Sequence, residues 1–214
     1  MAFYPFFVIA GLWMGVLFAT TQFPATVWTI QLSRSHGLWT GLAAALGLAF
    51  AHGAWALPGL GAVMSLGPWI QWVDVPLRGI ICGVYLWMGL RVWRTPPVTE
   101  LDYAGPPEDH QAAFGYTLRR AVRMPWRLLA LAGLAVVVSL HVRSPGPGNA
   151  ALMSLGVLLG TFGWWALFAT MARYTRKSVP VAITLKSVNK LRRLGAIVFL
   201  GLSLLSIAPL AVML

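Results

Sequence analysis

The chain has 214 residues, 58% hydrophobic and only 10% charged, with 16 Lys and Arg against 5 Asp and Glu and a formal net charge of +11. So apolar a composition excludes an ordinary soluble domain. The basic residues collect between apolar runs rather than along one polar face, so the charge reads as topology-setting and not as a nucleic-acid surface.

In lipid the backbone is satisfied only by helices or closed barrels, and the runs here are uninterrupted rather than alternating. The expected fold is therefore an all-α polytopic membrane protein. Cys82 is the single cysteine, which leaves no intrachain disulfide and no CxxC redox pair.

The opening residues, MAFYPFFVIAGLWMG, have neither a basic n-region nor a small-residue cleavage site and read as a retained first span, about 4–30. Between Gly37 and Val73 there is no Asp, Glu, Lys or Arg. A single helix of that length would far exceed the roughly 30 Å hydrocarbon layer, so the run has to turn back. Pro58-Gly59 and Gly67-Pro68 punctuate it, giving spans of about 37–64 and 72–93 joined by a surface loop with Trp69, Gln71 and Trp72. Asp74 and Pro76 open the third span, and Arg91 and Arg94 close it.

Residues 95–112 are Pro-rich, hold four of the five carboxylates and read as a cytoplasmic linker in which His110 is solvated. Beyond it Tyr116, Arg119, Arg120, Arg123 and Arg127 recur at helical spacing. They are expected among anionic headgroups, at about 1 kcal/mol per basic residue, where a fourth span of about 116–141 begins. Residues 144–149, SPGPGN, form a tight external turn; spans of about 149–172 and 192–213 follow, separated by a basic connection that contains Pro180.

Alternating the six spans puts Arg34, Arg91, Arg94, Arg119, Arg120, Arg123, Arg127, Arg173, Arg176, Lys177, Lys186, Lys190, Arg192 and Arg193 on one side, and Arg78 and Arg143 on the other. The fourteen-to-two asymmetry predicts a cytoplasmic basic side with both termini outside. Three spans on each side of the linker make residues 1–94 and 113–214 inverted repeats. Glycines four apart, at Gly11 and Gly15, Gly79 and Gly83, and Gly156 and Gly160, favour close helix approach within the bundle or between protomers.

The stretch Leu32-Ser33-Arg34-Ser35 followed by GLWTGLAAALGLAFAHGAWAL, then LRGIICGVYLWMGLRVWR, resembles the LysE/RhtB family of bacterial inner-membrane amino-acid and metabolite exporters; AFGYTLRRAVRMPWRLLAL and NKLRRLGAIVFLGLSLL follow the same layout more loosely. The resemblance implies a small inner-membrane exporter with two related halves, coupled to the membrane potential or the proton gradient. Where that family carries Pro-Gly-Pro-Asn in its first helix, this chain has Gln22-Phe23-Pro24-Ala25; where it carries Asn-Pro-Lys in its fourth, this chain has Met124-Pro125-Trp126.

Pro24 and Pro125 can each interrupt a helix, expected at comparable depth, with Thr20, Thr21, Gln22 and Thr26 beside a shared cavity; the plainer reading is two kinks relieved by threonine hydroxyls. His52 lies mid-span, as a proton relay or substrate contact, or as a neutral ring bonded to a nearby Thr, Ser or carbonyl. Arg78 either pairs with Asp74 one turn earlier or holds a substrate carboxylate. His36, His52 and His141 fall at different depths, which disfavours bis-His haem, and no zinc, nucleotide or nucleophile motif is present. No cofactor, metal or enzymatic role is expected. Two functions stay open: export of a small amino acid or related metabolite by alternating access, or a transport-inactive accessory subunit of a larger membrane complex. A chain found alone or as a homo-oligomer favours the first, and stable association with an unrelated complex the second.

Overall fold

The computed structural model describes residues 4–66, 69–99, 109–139, 147–174 and 184–211, and every regular element among them is helical. In chain order these are α1 (Tyr4–Thr21), α2 (Phe23–His36), α3 (Leu38–Ser65), α4 (Ile70–Arg94), α5 (His110–Val122), α6 (Trp126–Ser139), α7 (Pro147–Tyr174) and α8 (Leu185–Ala211). Helices α3, α4, α7 and α8 are each long and apolar enough to cross a bilayer, and α1 with α2 makes a fifth candidate when taken as one bent span. The chain is thus built as a multi-pass helical membrane protein.

The stretch expected as one span over 4–30 is divided, with α1 and α2 bent by 82° at Gln22. Pro24 supplies the cause, because it has no N–H for the Thr20 carbonyl and its ring crowds that oxygen. Gly195 of α8 lies against the Thr20 carbonyl, where a β-carbon would stand 2.9 Å away. The stretch expected over 116–141 is divided as well. Helix α5 starts earlier, at His110, where the Asp109 carboxylate accepts from the Ala112 N–H at 2.6 Å, and α6 begins only after Met124-Pro125.

Arg119 and Arg120 make α5 too polar to be an apolar crossing, and the apolar part of α6 is short. Together, however, α5 and α6 follow α3 in the same direction. The Thr117 hydroxyl reaches the Ala44 carbonyl at 3.2 Å near the start of α3, and Gly59, near its end, packs on Leu128.

Elsewhere α3 continues through Pro58-Gly59 to Ser65, and α4 starts at Ile70, so Pro76 lies inside the helix rather than at its first turn. Trp69 and Trp72 are 71% and 76% exposed. Gly67-Pro68, the Gln71 side chain, residues 100–108 of the linker, His141, Arg143, residues 144–146, and the connection with Arg176, Lys177 and Pro180 lie outside the described residues.

Two of the glycine pairs meet each other. Gly11 and Gly15 on α1 pack backbone to backbone against α7 at Met153 and Val157, and Gly156 and Gly160 pack against Val8 and Leu12. Small residues are required here because nothing larger fits between the backbones. Gly79 and Gly83 on α4, by contrast, face open space.

Helices α4 and α8 are tied at both ends. At one, Arg78 donates through Nε to Asp74 at 2.7 Å and through Nη1 to the Ser206 carbonyl at 3.1 Å; at the other, Arg192 Nη1 donates to the carbonyls of Trp93 (2.7 Å) and Thr95 (2.5 Å), capping α4 with a cation. At that same end of the bundle Ser33 bonds to Ala169, and Thr40 meets His110 at 3.2 Å. The helix ends rich in Arg and Lys are therefore gathered together.

Candidate functional site

The two helix breaks open onto one cavity. It has a volume of about 340 Å³, and its wall includes Thr21, Gln22 and Pro24 from the first break and Met124, Trp126 and Arg127 from the second. That volume lies within the range of small-molecule sites. Helix α4 contributes Trp87, Met88 and Arg91, and Trp28 of α2 and Tyr116 of α5 stack with ring centroids 5.4 Å apart.

Few backbone groups at the breaks are left free. Gln22 N–H donates to the Ala19 carbonyl at 3.0 Å, and its own carbonyl accepts from Ala25 and Thr26. The hydroxyls of Thr20 and Thr21 bond back to Val16 (2.8 Å) and Phe18 (2.6 Å). Thr26 is fully buried, its hydroxyl 3.5 Å from the Gln22 carbonyl, and it does not line the cavity. At the second break Met124 N–H donates to Ala121, and Arg127 N–H to Met124. Pro125 creates the break without itself forming part of the wall.

Arg127 is the group that dominates the site. It is 4% exposed, and Nε and Nη1 have no hydrogen-bond partner. Nη2 has only the Met124 sulfur at 3.6 Å, and the guanidinium lies over the Trp126 ring with Cζ 5.7 Å from its centroid. An uncompensated buried cation costs several kcal/mol, so the arrangement calls for an anion or water opposite it. Arg91 and Arg120 join it on the wall. Arg91 stacks over Trp87 at 5.4 Å, and Arg120 donates to the Tyr116 hydroxyl at 3.1 Å. Among the described residues no carboxylate lines the cavity.

Arg127 therefore differs from the expectation that set it among headgroups with Arg119, Arg120 and Arg123, which are exposed. The helical spacing behind that expectation does not hold across Pro125, because the break re-aims the first turn of α6 inward. Arg91, Arg120, Trp28, Trp87 and Tyr116 were not singled out as site residues. The legible signal for Arg127 was its place directly after Pro125-Trp126 and before a charge-free run.

His52 and Arg78 stand away from the cavity. The His52 ring is fully buried, with Nδ1 2.7 Å from the Leu48 carbonyl, and it is wedged between Phe18 and Trp165 with centroids 5.0 and 5.1 Å distant. Arg78 is spent on Asp74 and Ser206. Cys82 meets the Ser203 hydroxyl at 3.2 Å and serves packing between α4 and α8. Among the described residues no three His, Cys, Asp or Glu side chains cluster as metal ligands.

No protein-family model, no curated protein and no solved structure matches this chain.

Proposed function

We propose that this chain is a secondary exporter similar to the LysE/RhtB family, carrying a small amino acid or related metabolite across the bacterial inner membrane by alternating access. The observation that carries the reading is the cavity walled by both broken helices, with Gln22 and Pro24 from one half and Met124 and Arg127 from the other. Discontinuous helices meeting at a solute-sized cavity are the device by which inverted-repeat transporters bind cargo. In this reading the α5–α6 pair is the sixth crossing, and the basic helix ends face the cytoplasm with both termini outside.

The packing supports the repeat. Helices α1 and α2 lie on α7 as α5 and α6 lie on α3, while α3 pairs with α7 and α4 with α8. Exchanging the halves preserves these pairings. Gating would then be a rocking of the broken helices about Gln22 and the Arg123–Pro125 link. The test is counterflow in proteoliposomes with a panel of amino acids and related acids. Accumulation of a labelled solute, abolished by filling the cavity with Ala121→Trp, supports export; a panel that shows no counterflow rejects it.

A second reading, an accessory subunit without transport, is favoured by one feature. The outward face of α4 is bare at Gly79 and Gly83 and carries Trp72, 76% exposed. Stable co-purification with an unrelated membrane complex in mild detergent would support it.

A further inference from the structure

We infer that the cavity selects organic anions with an aromatic or apolar body and no cationic group, held by Arg127. The inference rests on the cavity being the binding site of the proposed exporter, and it places the cargo among the related metabolites rather than the amino acids themselves.

The charge of the wall is one-sided. Arg91, Arg120 and Arg127 reach it from α4, α5 and α6, and among the described residues no Asp or Glu does. Arg127 adds the decisive feature: it lines the cavity, is only 4% exposed, and its guanidinium Nε and Nη1 are buried without a partner. A buried guanidinium with two of its three nitrogens unpartnered is short of acceptors, and charge-assisted pairs with a carboxylate or phosphate are roughly twice as strong as neutral ones.

A zwitterion would fare worse. Its ammonium group would enter a site with three like charges and, among the described residues, no carboxylate. Apart from Thr21, Gln22, Thr95 and Thr117, the remainder of the wall is apolar and aromatic. Trp28, Trp87, Trp126 and Tyr116 supply ring faces for a planar body, which a bare inorganic ion would leave unused.

The test is calorimetric titration of the full-length protein in detergent with four probes: phenylacetate, phenylalanine, phenethylamine and inorganic phosphate. Phenylacetate is expected to bind at least about tenfold more tightly than phenylalanine, with phosphate weaker than phenylacetate and phenethylamine silent. Arg127→Gln should weaken phenylacetate about tenfold and Arg127→Lys less. Arg120→Gln, at an exposed position, should weaken it as well and keeps the test decisive if Arg127→Gln does not fold. In phosphatidylcholine nanodiscs, added phosphatidylglycerol should leave phenylacetate binding unchanged; competitive loss would assign the cavity to lipid headgroups and overturn a soluble cargo. Equal or tighter binding of phenylalanine, or phenylacetate binding that is absent or indifferent to these substitutions, also overturns the inference. Anion binding without any counterflow would defeat only the exporter reading.

Discussion

Gly11 on α1 and Met153 on α7 touch backbone to backbone, so closely that a β-carbon on Gly11 would overlap the Met153 carbonyl. Gly156 makes the reciprocal approach to Leu12, where a β-carbon would stand 2.8 Å from its amide nitrogen. Gly11→Val or Gly156→Val must push apart helices from opposite halves of the chain, and overpacking of this kind costs about 1–3 kcal/mol or more. A lowered thermal transition in detergent is expected for both. Gly79→Val, facing open space, should leave the transition unchanged.

Arg78 holds α4 to α8 through Asp74 and the Ser206 carbonyl. Arg78→Gln strands the Asp74 carboxylate and should cost about 3 kcal/mol, while the double variant with Asp74→Asn recovers much of the loss. Phenylacetate binding should be untouched in both, since neither residue lines the cavity. Thermal stability and titration together check this.

His52 packs as an aromatic plug. With its ring between Phe18 and Trp165 and away from the cavity, His52→Gln should leave counterflow and its pH dependence unchanged. His52→Ala removes the ring from a fully buried position and should destabilise the bundle by about 3 kcal/mol, read by thermal denaturation. A shifted pH profile in His52→Gln would support the proton-relay reading instead.

Tyr85 crosses from α4 to α6, donating to the Ala130 carbonyl at 2.7 Å over the bare surface of Gly133. Tyr85→Phe should cost about 1 kcal/mol. Gly133→Ala should cost more, because its β-carbon would meet the phenol oxygen at 2.8 Å. The two variants compared by denaturation separate loss of the bond from loss of the space it needs.

The long helices were legible because nothing interrupts their apolar runs: α3 is free of charge from end to end, and α4 closes on Arg91 and Arg94. The breaks were legible as prolines at 24 and 125. Their consequences were not. The 82° turn at Gln22 depends on α2 finding a bed on α3 and α7, which is a tertiary property. Arg127 was misplaced among headgroups for a related reason. A four-residue spacing from Arg123 describes one face only if the helix is continuous, and Pro125 ends that continuity. The glycine pairs were equivocal in the sequence, since the same spacing marks a backbone contact at Gly11 and Gly15 and an open face at Gly79 and Gly83.

The account turns on the cavity being reached in turn from both sides of the membrane. A single cysteine at Met124, on its wall, in a Cys82→Ala background allows a membrane-impermeant thiol reagent to be applied from either side of oriented vesicles. Reaction from both sides, with protection by phenylacetate in each case, is the predicted result. Labelling confined to one side under every condition, or unaffected by phenylacetate, would contradict alternating access through this site.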